Sequence, residues 1–247
     1  MSAAIEVHAL SKLYGGLAAV NGVSLEVPMG ERRVLIGPNG AGKTTLFHCI
    51  AGTLKPTAGR VRLFGREVTS LAEHRRTALG MGRTFQITNV FADLTLLENL
   101  ALAILGTDKR KWVMHRTMES FAEVQQRARE GLERVGLAGR AEQQVKLISY
   151  GERRQLELAL ALITCPKVLL LDEPCAGLSP AERAQISRMI AELPRDITLL
   201  MIEHDMDVAL ALADRVTVLH QGRLILEGAP AEVSTNPTVR DVYFGHG

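Results

Sequence analysis

The sequence predicts an α/β fold: a parallel sheet flanked by helices, with one helical lobe inserted into it. Three observations carry that expectation. Short β-branched runs alternate with helix-like segments, one such run enters a Gly-rich turn that opens a helix, and a long central stretch keeps a helical period.

The first runs are IEVHAL from Ile5, VSLEV from Val23 and RVLIG from Arg33, and all three read as strands. The third leads into glycines and then KTTLFHCIAG, a helix closed by Gly52 and Pro56. VRLFG reads as another short strand, after which the pattern is expected to stay helical. Met114, Met118, Phe121, Val124, Ala128, Leu132 and Val135 recur at three or four residues and so share one helix face. The α/β rhythm resumes at KVLLLDEP, an unbroken apolar strand of the kind buried on both faces of a parallel sheet. A helix from Pro180, a strand at ITLLMIEH, a helix from Asp205 and a strand at RVTVLH follow, with LILEG closing a hairpin and short helical pieces in the tail.

The 247 residues exceed the usual single-domain size, and one α/β core with an inserted lobe accounts for them. Charges nearly balance at +2 with no basic or acidic tail, so nucleic acid is not expected as a partner. Cys49, Cys165 and Cys175 lack Cys-x-x-Cys spacing, which excludes a zinc knuckle and leaves them as expected buried hydrophobes. No apolar stretch approaches the roughly 18 residues that span a bilayer, and the start MSAAIEVHAL has no signal-peptide pattern. A cytoplasmic protein that reaches a membrane only through a partner is the expectation.

GPNGAGKTT, Gly37 to Thr45, matches a phosphate-binding loop in the context where the pattern has meaning, after a buried strand and before a helix. Glycines let main-chain N–H groups turn inward, the helix N-terminus adds partial positive charge, and Lys43 reaches the β- and γ-phosphates. Thr44 is placed to ligate Mg²⁺. The run from Val168 delivers Asp172 and Glu173 to the sheet edge where open α/β folds bind ligands. Asp172 is expected to hold Mg²⁺ and Glu173 to polarise an attacking water. His204, at the end of the next apolar run, is expected beside Glu173 as a γ-phosphate contact. Gln86, between core and lobe, is a candidate for both metal and water. Ser149 and Gly151 open a helix in ISYGERRQLELALAL, and a helix N-terminus suits an anion whether or not Ser149 also caps it.

In that order, these segments resemble the ATP-binding subunits of ABC transporters over essentially the whole chain. Tyr14 matches the aromatic that stacks on adenine, Gly37, Pro38, Asn39, Gly40, Ala41, Gly42, Lys43, Thr44 and Thr45 match Walker A, and Gln86 matches the Q-loop. SYGER matches the signature, VLLLDE matches Walker B, and His204 matches the switch histidine. The resemblance implies a P-loop NTPase (RecA-like) core with an antiparallel β subdomain and an inserted α-helical subdomain. The implied division is 1–86 and 166–247 for the core, and 87–165 for the helical part. It implies ATP and Mg²⁺ as cofactors, and a head-to-tail pair in which each ATP meets Walker A of one subunit and Ser149 and Gly151 of the other. Further implied partners are integral membrane permease subunits and, indirectly, a solute-binding protein, with the chain peripheral on the inner membrane face. A groove near the Q-loop, with Phe91 and Leu94 as candidate lining, is implied as the permease contact.

Two departures from the family pattern stand out. Tyr150, Gly151 and Glu152 occupy positions where Gly-Gly-Gln is commonest, and Glu152 is expected to turn away from the helix end. Ser179 stands where many relatives have aspartate. KLYGGLAAVNGVSLEV, GRTFQ, AGLSP, IEHDMDVAL and the YFG ending are similar to ATPases of branched-chain amino acid importers. Urea importers and lipopolysaccharide exporters share much of this wording.

Overall fold

The computed structural model describes residues 3–84, 90–107 and 122–244. Two long strands, β1 (Ala3–Tyr14) and β2 (Leu17–Pro28), form an antiparallel hairpin. The strands β4 (Ala58–Leu63) and β5 (Arg66–Glu67) extend this hairpin into a four-stranded sheet ordered β2-β1-β4-β5. The second sheet has β3 (Arg32–Ile36), β6 (Met81–Arg83), β7 (Val168–Asp172), β8 (Thr198–Ile202), β9 (Arg215–His220) and β10 (Arg223–Gly228). Its order is β10-β9-β3-β8-β7-β6, parallel except for the β9–β10 hairpin.

The central strands are buried at every position because both faces are covered. Strand periodicity divides their side chains between two cores. Leu35, Val168, Leu170, Leu200 and Ile202 face the antiparallel sheet and helix α1 (Lys43–Ala51), where they pack with Ile5, Leu10, Leu46, Phe47 and Ile50. Val34, Ile36, Leu169, Leu171, Leu199 and Met201 face the opposite layer. That layer is built from α6 (Pro180–Ala191), α7 (Met206–Leu212), α8 (Pro230–Thr235) and α9 (Pro237–Phe244).

A third apolar cluster joins α3 (Leu96–Thr107), α4 (Ala122–Arg134) and α5 (Tyr150–Leu162). On α4 the buried residues are Val124, Ala128, Gly131 and Leu132, which include the spacing read from the sequence, whereas Met114, Met118 and Phe121 lie outside the described residues. Helix α5 is the seam between lobe and core. It gives Leu156 and Ala159 to the helical cluster, and Leu158 and Ala161 to the sheet.

Short helix α2 (Glu73–Thr77) carries Arg76, whose fully buried guanidinium donates to the carbonyls of Cys49 and Ile50 at 2.9 and 2.6 Å. It also donates to Leu71 and Thr69. A cation on the last carbonyls of α1 satisfies both their hydrogen bonding and the helix dipole. The structure corrects the sequence reading in two places here. The stretch after VRLFG is not continuously helical, because β6 returns to pair with β7 at the sheet edge. Of the cysteines, Cys49 and Cys175 are buried but Cys165 is exposed, in a tight turn with φ 51° that follows α5.

Leu170 is completely buried in β7, between α1 and the antiparallel sheet. Leu170→Ala is expected to destabilise the chain by about 2–5 kcal/mol, read as a lowered denaturant midpoint at unchanged slope.

Candidate functional site

The phosphate loop leaves β3 and closes into α1 through backbone that only glycine tolerates. Gly37 has φ 148° and Gly42 φ 97°, and a Cβ at either would run into a carbonyl oxygen, of Leu219 and Ala19 respectively. Gly42 is the residue before α1, and no side chain caps that helix end. The first N–H groups of α1 are therefore presented to the cleft rather than to a neighbouring side chain.

Lys43 opens α1 and is only 4% exposed. Its Nζ donates to the carbonyls of Gly37 at 2.7 Å and Pro38 at 3.0 Å, so the ammonium lies within the ring of the loop. Burial lowers its pKa, and the Glu173 carboxylate opposes that shift.

The loop forms one wall of a cleft of about 830 Å³. Tyr14, Asn39, Gly40, Ala41, Gly42, Lys43, Thr44, Thr45, Glu173 and His204 all line it. Tyr14 is half exposed, with Lys12 Nζ 5.2 Å from its ring centre. Glu173 Oε1 and His204 Nε2 are 2.6 Å apart. Both residues sit past their strands, since β7 ends at Asp172 and β8 at Ile202. The sequence reading had each closing its strand. Glu173 instead takes a left-handed backbone, φ 48°, which turns it out of the ladder.

Asp172, the last residue of β7 and the one before Glu173, is 1% exposed. Neither of its carboxylate oxygens has a hydrogen-bond partner among the described residues, and His48 Nε2, on an imidazole whose pKa burial lowers, lies 3.9 Å away. Burial raises its pKa, with Arg83 as the leading opposing influence. A buried carboxylate with both oxygens unbonded fits a divalent cation. Together with the Thr44 hydroxyl it suits Mg²⁺, which takes one or two protein oxygens and fills the rest of its shell from phosphate and water. Gln86, the other metal candidate, lies outside the described residues.

Ser149 and Gly151 do not join this cleft. They line a separate one of about 280 Å³ with Arg140, Glu152, Gln155, Glu182, Gln185 and Ile186. Ser149 caps α5 in a reciprocal box, accepting from Glu152 N–H while Glu152 accepts from Ser149 N–H at 2.8 Å. Glu152 therefore does not turn away from the helix end. Its carboxylate is folded back over it and paired with Arg140 at 2.9 Å. Glu182 also faces this cleft, and hydrogen bonds from Ser179, with a further one from the Gly151 N–H, hold its carboxyl below the usual range. Ser179 caps α6 in the same way that Ser149 caps α5.

Tyr150 packs against Gly177, and its hydroxyl lies 3.4 Å from the Ala176 carbonyl while accepting from Arg154 at 2.8 Å. The start of α5 thus touches the loop that follows Glu173. Sequence reasoning missed Leu17, Ala18, Ala19 and Gln221, which line the main cleft. Gln221 had a signal in the QGR turn, where it adopts φ 48°, but nothing local tied that turn to the phosphate loop. Tyr243 of α9 was also missed. Burial pushes its hydroxyl up to about 12, partly offset by a hydrogen bond with the Gly37 backbone.

A phosphate loop facing a carboxylate and a histidine, with a buried aspartate whose oxygens are unbonded beside them, is the arrangement of a nucleoside triphosphatase. A family profile described as ABC transporter matches residues 20–176, and one described as Branched-chain amino acid ATP-binding cassette transporter matches 223–247. The chain belongs to the ATP-binding subunits of ABC transporters, and is an ATPase of that family. It is 40% identical to the high-affinity branched-chain amino acid transport ATP-binding protein LivG of Salmonella typhimurium, over 98% of this chain and 97% of that one. It is 38% identical to BraF of Pseudomonas aeruginosa, with the same coverage. It is 35% identical to the lipopolysaccharide export ATP-binding protein LptB of Acidithiobacillus ferridurans, over 99% and 98% of the two chains. The ADP conformation of an ATP-binding cassette of an ABC transporter superposes with a TM-score of 0.88 at 31% identity, covering both chains completely. A second cassette, solved as a dimer in a post-hydrolysis state with ADP and phosphate, superposes at 0.79 with 26% identity, covering 92% of this chain and 98% of that one. Cassettes of this family dimerise and work with permease subunits. Among the described residues no helix is long and apolar enough to cross a membrane.

Asp172→Asn removes an unpaired buried charge. The nucleotide-free variant is expected to melt at a higher temperature than the parent, while ATP turnover in the presence of Mg²⁺ falls. Calorimetry and a phosphate-release assay check the two effects separately.

Proposed function

We propose that this chain hydrolyses Mg-ATP at the interface of two cassettes arranged head to tail, and so drives a permease that imports branched-chain or related amino acids. The observation that carries the reading is the division of the site. Tyr14, the phosphate loop, Glu173 and His204 share one cleft, while Ser149 and Gly151 line another. A head-to-tail pair completes both clefts at once, because each copy adds the start of its α5 to the nucleotide held by the other.

Within that pair, the main-chain N–H groups of the loop and the Lys43 ammonium neutralise the phosphates. Thr44 and Asp172 would hold Mg²⁺, which when bound would supply further positive charge to the phosphate oxygens. Glu173 accepts a proton from, or orients, the attacking water. His204, hydrogen-bonded to Glu173, fixes that carboxylate and lies next to where the terminal phosphate would be held.

The amino-acid substrate class is supported by the profile on residues 223–247 and by greater identity to LivG and BraF than to LptB. The permease, with a solute-binding protein on its far side, would hold the chain on the inner membrane face. A groove of about 1110 Å³ between lobe and core suits the permease contact. Its lining includes Gly52, Thr53, Glu73, His74, Thr77, Ala78, Gly106 and Thr164. Phe91 and Leu94, expected from the sequence as candidate lining of a groove near Gln86, are not among the residues of this one, and Phe91 is 60% exposed, with its N–H bonded to Asn99.

Glu173→Gln is expected to keep ATP binding while lowering turnover about 10²–10⁴-fold, and leucine uptake by vesicles carrying the assembled transporter should stop with it. Near-normal turnover would remove Glu173 from this role. Ala78→Trp, at an exposed groove position, is expected to leave ATP binding by the purified chain unchanged and abolish uptake. Undiminished uptake would move the permease contact elsewhere.

A further inference from the structure

Glu203 is a buried carboxylate, 3% exposed, to which the reaction above gives no part. Its Oε1 accepts from the Cys175 N–H at 3.1 Å and its Oε2 from the His204 N–H at 3.0 Å. The Asp205 N–H is directed at it as well. Its own N–H donates to the Leu35 carbonyl at 3.4 Å. One residue therefore ties together the end of β3, just before the phosphate loop, the turn that follows Glu173, and the loop that carries His204.

Glu173 stands at the centre of these ties. Its left-handed backbone is strained for a residue other than glycine and persists only where the surroundings over-determine it. Two of the restraints act on Glu173 itself, its N–H to the Ile202 carbonyl of the neighbouring strand at 3.0 Å and Ala176 N–H to the Glu173 carbonyl at 3.1 Å. The third is the grip of Glu203 on Cys175, two residues downstream. The same carboxylate holds His204 by its backbone, and the two gripped segments present the Glu173 and His204 side chains to each other at 2.6 Å. An ionised carboxylate suits this place because it is acceptor-only, with two oxygens for converging N–H groups. Burial raises its pKa, and those same backbone hydrogen bonds pull it back.

We infer that Glu203 is a positioning residue for ATP hydrolysis, a clamp that sets Glu173 and His204 in register above the phosphate loop. The inference rests on Glu173 acting at the attacking water. Glu203→Gln keeps the side-chain volume and one acceptor oxygen, but turns an amide NH₂ toward at least one backbone N–H. Glu203→Ala removes the clamp altogether.

The purified full chain is assayed for ATP turnover, Michaelis constant, binding of a fluorescent ATP analogue and thermal melting. The variants are Glu203→Gln, Glu203→Ala, Glu173→Gln and the double variant Glu173→Gln/Glu203→Gln. Glu203→Gln is expected to lower kcat about tenfold to a hundredfold, the cost of a misplaced catalytic group, with KM and analogue binding unchanged. The double variant should be no slower than Glu173→Gln alone, since Glu203 acts through Glu173. Wild-type kcat in Glu203→Gln, with Glu173→Gln inactive, overturns this inference and leaves the Glu173 assignment standing. Wild-type kcat in Glu173→Gln overturns both. If Glu203→Gln melts far lower and loses analogue binding, or if its loss multiplies with that of Glu173→Gln, the role is folding alone and the inference is likewise overturned. Should Glu203→Ala not fold, the Gln variant decides.

Discussion

The register of three parallel strands is the constraint on which the rest of this structure depends. Ile202 of β8 pairs with Leu35 of β3 on one side and with Asp172 of β7 on the other. The segments that follow these residues therefore leave the sheet at one edge and at one level: the phosphate loop from β3, Glu173 from β7, Glu203 and His204 from β8. A slip of one residue in either ladder would exchange the faces of a strand whose every side chain is buried. Because two separate apolar cores read that alternation, packing energy far from the cleft enforces the geometry within it.

Several groups at this edge are held at a cost to the free protein. Lys43 is buried among carbonyls, Asp172 is buried with its oxygens unbonded, α1 begins without a side-chain cap, and Glu173 sits in a left-handed backbone. In the proposed site the first three of these costs fall where a ligand would supply a partner: phosphate oxygens would meet the helix end and the ammonium, and a divalent cation would meet the carboxylate. The site is thus shaped in advance for charge that arrives with the ligand.

The second cleft is organised differently. At the start of α5, Ser149 and Glu152 satisfy each other, Arg140 balances Glu152, and Tyr150 reaches across to Ala176. That last contact joins the start of α5, which serves the neighbouring copy's nucleotide in the proposed pair, to the turn after Glu173 in its own cleft. The link is a single side-chain hydrogen bond, with the Tyr150 ring packed against Gly177.

The sequence by itself determined which strands are buried, where the phosphate loop lies, that two carboxylates follow β7, and that a capped helix begins at Ser149. All of these depend on spacing within about ten residues, where periodicity, glycines and caps act directly on the backbone. It also carried enough wording to indicate the family. Tertiary structure decided what distant segments do to one another: the return of β6 to the sheet, the exposure of Cys165, Gln221 beside the phosphate loop, and Glu203 gripping Cys175 across 28 residues of chain. A buried glutamate in an apolar strand pattern looks anomalous until the amides that converge on it are in place. The amides of His204 and Asp205 follow it directly in the chain, but no local rule brings in that of Cys175, which arrives only once β7 and β8 have paired.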